Sequence, residues 1–446
     1  MKKPDTEELA RRIALDFNKT REEIIRELEI YYPEITDEMI AGWEQSGALE
    51  YETVDGQKRY FRNAAKNLMR LDRDARELRE QKEGRERAGR AYVLSQHIPA
   101  VIKAVRSQLR GSSRLISGLP VSPIIGEFEE RIIPDEEYIS PMEYMALPHR
   151  WRFYSRITVR PDAVPAGEEI LCWMPMPRAD IHRQVLEDSN ELLAKSIHAA
   201  HFMCKSAEAS RPTVFWNSVP FKTAAEFHPL PKGFEHQPVD TQAENLLPHL
   251  MEQAPHIVFT DSLKELAFRT VGRERRPYYM ARAIFDLISK HYPWISAREY
   301  STIDCIPEYV VRRGGGDCGQ VTMLFITLCR ILGIPARWQS GFSLIPGYEN
   351  FHDWADIYIP GLGWIPVDPS FGIQRWGKTE EQRYFYFGGI DAFRMIVNKG
   401  WGGELWPKKR FSRSEPVDFQ RGEVEWKEGN LYFDTWDFSF WVEPQL

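Results

Sequence analysis

Cysteine is scarce: five in 446 residues, at Cys172, Cys204, Cys305, Cys318 and Cys329. Their odd number and irregular spacing favour a reducing compartment or free thiols over a disulfide framework. No Cys-x-x-Cys or His-x-x-x-His spacing is present, so no metal is expected. No phosphate-binding glycine loop, internal repeat or low-complexity tract appears either, and no cofactor is expected. No uninterrupted apolar run approaches a membrane span. The opening MKKPDTEELARRIALDF has two lysines but no apolar h-region, which predicts a cytoplasmic protein without membrane contact. A strong excess of one charge is also missing. The formal charge of −7 gives no sign of a nucleic-acid partner.

Apolar and aromatic residues are plentiful, at 43% and 13%, so substantial cores can form. The length suggests roughly three domains. The most informative stretch is RRGGGDCGQVTMLFITLCRILGIPARWQSGFSLIPGYENFHDWADIYIPGLGWIPVDPSF, residues 312–371. Asp317 can cap a helix carrying Val321, Leu324, Phe325, Leu328, Ile331 and Leu332 at helical spacing, with Gly333 and Pro335 as its stop. Cys318 then lies in the first turn, where free N–H groups and the helix dipole favour a thiolate. Asp317 works against that charge. Residues 351–359 alternate as a strand, Pro360-Gly361-Leu362-Gly363 turns the chain, and Trp364 to Asp368 returns it. Side chains alternate faces, so His352 and Asp368 meet only across an odd loop or a bulge. Cys, His and Asp in that order suit a nucleophile, its base and the group orienting the base in thiol acyl transfer. A metal site built from the same three residues is compatible in ligand type but lacks supporting spacing. A scaffold that has lost catalysis is a further alternative.

GGGDC, the helix ending in CRILGIPAR, and HDWADIYIPGLGWIPVDPS together resemble the core of the transglutaminase-like superfamily, a branch of the papain-like cysteine enzymes. The resemblance implies Cys318 as nucleophile, His352 as base and Asp368 as orienter. The family usually has H-A-W where this chain has His352-Asp353-Trp354, a departure that leaves the triad intact. An α+β fold is implied, with a papain-like core in which the nucleophile's helix packs on an antiparallel sheet. Gly316, Gln320 and Trp354 are candidate oxyanion or substrate-binding residues. The glycines let backbone approach a substrate carbonyl, and the Cys318 N–H is a natural oxyanion donor.

Along the rest of the chain, residues 1–62 read as helices with an Asp55-Gly56 hairpin, a pattern like a winged helix. Thr20 with Glu23 forms a capping box, and Thr36 can cap a second helix. Residues 1–60 hold 9 Lys/Arg against 15 Asp/Glu, net −6, which disfavours DNA and favours a protein partner or plain packing. Residues 61–114 reverse the sign, with 14 basic against 6 acidic, net +8. Helices over 68–90 and 91–109 are expected there, so 63–112 is taken as a charged helical arm. A β-rich domain is assigned to 113–255, the catalytic core to 256–400, and an aromatic-rich β-element to 401–446. Tyr432, Trp436, Phe438 and Phe440 are placed on one face of a terminal strand.

The leading function is a cysteine peptidase or amidase acting on a peptide or protein through an acyl-enzyme. Transfer of the acyl group to an amine, which would cross-link proteins, and a non-catalytic interaction protein are the alternatives.

Overall fold

A computed structural model describes residues 6–72, 148–187, 196–345, 349–374 and 379–445. Both expected helices of the charged arm lie outside these residues beyond Asp72.

The chain begins with Thr6–Asp16 (α1), Arg21–Glu29 (α2) and Asp37–Gln45 (α3). The Thr20–Glu23 capping box and the Thr36 cap both form. The hairpin Tyr51–Val54 (β1) and Gln57–Tyr60 (β2) turns at Asp55-Gly56, both with positive φ, before Ala64–Leu71 (α4). Ile24, Leu28, Ile40, Leu49, Phe61 and Leu68 close a small core among these elements.

Two four-stranded antiparallel sheets follow. One comprises His149–Val159 (β3), Gln184–Leu186 (β5), Thr213–Thr223 (β7) and the C-terminal Trp436–Pro444 (β16), in the order β16-β3-β7-β5. The other comprises Glu169–Pro175 (β4), Ala200–Ser206 (β6), Glu423–Trp426 (β14) and Gly429–Leu431 (β15), in the order β15-β14-β4-β6. Ile157, Phe215 and Trp436 from the first meet Ile170, Cys172 and Val424 from the second in one apolar cluster. The end of the chain therefore completes sheets begun near residue 149. Trp436, Phe438 and Phe440 do share a strand face by alternation, but Tyr432 does not. It lies, buried, in the turn between β15 and β16, because the strand begins only at Trp436.

The third sheet holds the sequence-flagged residues. Asp261–Val271 (α5), Pro277–His291 (α6), Ile306–Arg313 (α7) and Cys318–Ile331 (α8) pack against Ala336–Ser343 (β9), Asn350–Ile359 (β10), Gly363–Val367 (β11) and Arg394–Asn398 (β13), ordered β11-β10-β9-β13. A short pair, Glu226–Phe227 (β8) with Gly389–Ile390 (β12), lies beside them. Leu324, Phe325 and Leu328 of α8 share the core with Ala355 and Ile357 of β10. Helix α8 thus covers the face carrying Asp353, Ala355 and Ile357, and His352 and Trp354 point to the other. The fold is α+β, with the cysteine-bearing helix on an antiparallel sheet.

Candidate active site

Asp317 caps α8 as its pattern predicts. Its carboxylate accepts from Gln320 N at 3.0 Å, and Gln320 Oε1 accepts from Asp317 N at 3.3 Å. Cys318 opens the helix with its side chain half-buried.

Across the sheet, β10 and β11 pair with Ile359 opposite Gly363, Ile357 opposite Ile365 and Ala355 opposite Val367. The loop of Pro360, Gly361 and Leu362 has the odd length that alternation demands. His352 and Asp368 consequently share a face on a diagonal. His352 Nε2 lies 2.7 Å from Asp368 Oδ2, both buried. Asp368 also accepts from Arg394 Nη1 at 2.8 Å and from the Phe371 N–H at 2.9 Å. Although burial opposes its charge, His352 and Arg394 hold its carboxyl down at about 2. An anionic carboxylate only accepts, so Nε2 carries the proton and Nδ1 keeps its lone pair. Burial pushes the His352 pKa down, with Asp368 opposing and Arg394 adding to it, so the imidazole is neutral near pH 7. Arg394 is fixed in turn by Asp391 through Nε at 3.0 Å and Nη2 at 2.9 Å, and Tyr386 donates to the same Asp391 oxygen at 2.9 Å.

The nucleophile candidate has a partner the sequence did not flag. Cys318 Sγ lies 3.4 Å from Asp353 Oδ2, and no hydrogen bond joins it to His352 among the described residues. Strand alternation is the reason: the helix meets the sheet on the Asp353 face. Asp353 is also held by Gln420, whose Nε2 donates to Oδ1 at 2.9 Å. A Cβ on Gly319 would fall 2.7 Å from Asp353 Oδ2, so only glycine lets this carboxyl reach the helix start. Burial raises the Cys318 pKa well above the usual thiol range, and Asp353 and Asp317 push it further. The thiolate favoured by the helix dipole is thus outweighed at rest. Asp353 is itself raised well above the carboxylate range, by burial and then by Asp418 and Asp317. Asp317 is raised to about 6, chiefly by burial.

The other candidates fall as follows. Gly316 is buried, donates to Pro293 O at 3.2 Å and accepts from Ile295 N at 3.2 Å, so both its backbone groups pair with that segment. Gln320 is buried at the cap, and its Nε2 has no hydrogen-bond partner among the described residues. Trp354, placed with the substrate-binding residues, is fully buried and bonds Gln339 Oε1 at 2.8 Å. It packs near the His352 ring with centroids 6.1 Å apart, so its contact is with the imidazole rather than with a surface a substrate could reach. Arg394, Asp391, Tyr300, Asp418 and Gln420 went unrecognised in the sequence. No short motif joins them to the Cys–His–Asp set.

The model of the transglutaminase-like superfamily matches residues 264–369, which span Cys318, His352 and Asp368. Those residues form a transglutaminase-like domain. At family level this places the transglutaminase-like domain among the papain-like cysteine enzymes. An uncharacterized protein of Haemophilus influenzae is 26% identical over 256 residues, covering 49% of this chain and 66% of that protein. The uncharacterized protein YebA of Bacillus subtilis is 26% identical over 84 residues, covering 16% of this chain and 11% of that one. The matches thus span less than two thirds of either relative. Among solved structures, a candidate cysteine protease of Cytophaga hutchinsonii aligns with a TM-score of 0.45 at 18% identity, over 67% of this chain and 91% of that chain. The periplasmic domain of TgpA from Pseudomonas aeruginosa aligns with a TM-score of 0.28 at 13% identity, over 51% and 88%.

Proposed function

We propose that the transglutaminase-like domain is a cysteine hydrolase of amide bonds in peptides or proteins, with Cys318 as nucleophile, His352 as base and Asp368 as orienter. The observation that carries this reading is the 2.7 Å contact between a neutral, buried imidazole and an anionic Asp368, which leaves Nδ1 as the basic atom. In the proposed reaction a rearrangement at the start of α8 brings Sγ from Asp353 to the imidazole on the other face of β10. Nδ1 takes the thiol proton as sulfur attacks the carbonyl carbon, and the C–N bond then breaks as the leaving amine takes that proton. The Cys318 N–H, at the first position of α8, faces the developing oxyanion. Water, deprotonated by the same Nδ1, cleaves the thioester and restores the thiol. Because the thiol is protonated at rest, proton transfer accompanies attack and no preformed ion pair is required. All five cysteines are free, which suits a reducing compartment, and we place the protein in the cytoplasm on that ground.

The test is a fluorogenic peptide-amide panel with mass detection of an acyl adduct on Cys318. Activity and adduct should vanish in Cys318→Ala, and kcat should fall at least about a hundredfold in Asp368→Ala. Turnover by Cys318→Ala at the parent rate would sink the reading. Parent turnover with Asp368→Ala unimpaired would remove Asp368 from it.

A further inference from the structure

The stretch from Pro293 to Tyr300 runs from the end of α6 toward α7. It carries one isolated bridge, to Gly316, and a short helical turn that begins only at Tyr300. Its course therefore depends on what holds it from either side. On one side it supports the loop before Cys318. Gly316 N donates to Pro293 O at 3.2 Å, and Ile295 N donates to Gly316 O at 3.2 Å. The Tyr300 hydroxyl donates to Asp317 Oδ1 at 2.5 Å. Cys318 comes next in the chain.

On its other side the same stretch is gripped by the N-terminal elements. Asn67 of α4 is fully buried, and its amide spends both groups on Ser296. Nδ2 donates to Ser296 O and Oδ1 accepts from Ser296 N, each at 2.8 Å. Arg298 donates to Glu52 at 3.1 Å and to Glu50 at 3.4 Å, and Glu299 N donates to Asp16 at 2.6 Å. Glu50 also accepts from the Tyr309 hydroxyl at 2.8 Å, on α7, the helix that ends at Gly314. Helix α4 reaches the loop directly as well. A Cβ on Gly315 would fall 3.2 Å from Leu71 Cδ2 and 2.8 Å from Pro293 O, and Arg70 sits 4.4 Å from the centre of the Trp294 ring.

Among these contacts Asn67 has the most exacting geometry. The N-terminal elements close their own core around Leu28, Phe61 and Leu68, and Asn67 is no part of it. An amide matched to both backbone groups of one residue fixes that residue's place and orientation, as a neighbouring strand would. Its loss leaves the Ser296 N–H and C=O without those partners. Ser296 follows Ile295 and lies three residues from Pro293, the two that hold Gly316. A displaced Ser296 is thus felt at Gly316, and two residues on at the Cys318 N–H and Sγ. Misplacement there by a fraction of an ångström is costly to a reaction that depends on alignment.

We propose that α4 belongs to the catalytic apparatus, with Asn67 as a positioning residue that sets the Gly316–Cys318 backbone through Ser296. The inference rests on Cys318 as nucleophile, but one of its two measurements needs no turnover. Full-length Asn67→Ala is compared with the parent on the fluorogenic peptide amide, and by hydrogen exchange with mass detection over residues 314–320 at pH 7.5. In Asn67→Ala, kcat should fall about tenfold with KM within about twofold, because the loop is mis-set while the substrate surface is intact. Exchange over 314–320 should quicken about tenfold. Ile24→Val, which loosens the N-terminal core without touching Ser296, should match the parent in both. Asn67→Asp, nearly identical in shape, keeps the acceptor for Ser296 N and should change both quantities in the same direction but less. Parent-like exchange in Asn67→Ala overturns the inference, and so does faster exchange with an unchanged kcat. Equal changes in Ile24→Val overturn it too, since stability of the N-terminal core would then be the cause. Unfolding of both Asn67 variants makes Asn67 a folding residue and likewise overturns it. If the parent hydrolyses no peptide, the reading of Cys318 fails by itself, and exchange alone decides whether Asn67 sets the loop.

Discussion

Asp353 stands where the thiol meets the sheet, and its protonation decides whether it helps or hinders. As a neutral acid it can donate to sulfur, whereas as a carboxylate 3.4 Å from Sγ it opposes a thiolate. Asp353→Ala installs the small residue usual in this family and removes that opposition. Iodoacetamide labelling of Cys318 at pH 7.5 should accelerate about tenfold, equivalent to roughly one unit of thiol pKa. Peptide mass mapping after short exposure measures it, with exposed Cys204 as the internal reference. An unchanged or slower rate would show that Asp353 does not restrain the thiol. In the sequence, Asp353 was visible only as a departure from a motif. Its influence was hidden because it depends on which strand face the helix covers. Arg394 and Asp391 were hidden for a related reason: Arg394 reaches Asp368 from the far edge strand, three places from β11, with Asp391 just before that strand holding it, and no spacing announces that.

At the scale of elements, local chemistry was legible wherever one segment settles its own shape. The cap of α8, its apolar stripe and its stop at Gly333 follow from a few adjacent residues, and so does the odd loop joining β10 to β11. That loop depends on glycine, since Gly361 and Gly363 have φ of +87° and +83°. Gly363→Ala forces a side chain into this region at about 1–2 kcal/mol, lowering Tm by several degrees. It should also reduce kcat, because relaxing the turn shifts the register that sets Asp368 against His352. Gly333→Ala, strained alike at φ +75° but remote from the loop, should lose similar stability and keep its kcat. Equal kcat in the two variants would uncouple the turn from the His–Asp contact. Long-range pairing was not legible. Nothing near 423–444 reveals that β14 joins β4 and β16 joins β3, since those partners lie more than 200 residues away.

Across the whole molecule, the N-terminal helices are tied to both the core and the chain's end. Glu8 accepts from Ser412 at 2.8 Å and Asn430 at 2.9 Å, and Arg11 pairs with Asp434 at 2.6 Å. Asp16, fully buried at the end of α1, accepts from the Glu299 N–H at 2.6 Å. Burial, then the nearby Glu299 charge, raises its carboxyl to about 6. A folded-state pKa above the unfolded value means that this group's stabilisation is complete below about pH 4 and fades as pH rises through about 6. Between pH 5.0 and 7.5 the loss integrates to roughly 1–1.5 kcal/mol. Asp16→Asn keeps an acceptor for the Glu299 N–H and has no proton to lose. Urea unfolding of both proteins at the two pH values isolates the term, because every other titrating group is common to them. The variant's stability relative to the parent should rise by that amount on going to pH 7.5. A difference that stays flat, or moves the other way, would mean that the Asp16 carboxylate is stabilised in the folded protein, with Arg62 and Arg421 outweighing burial and Glu299.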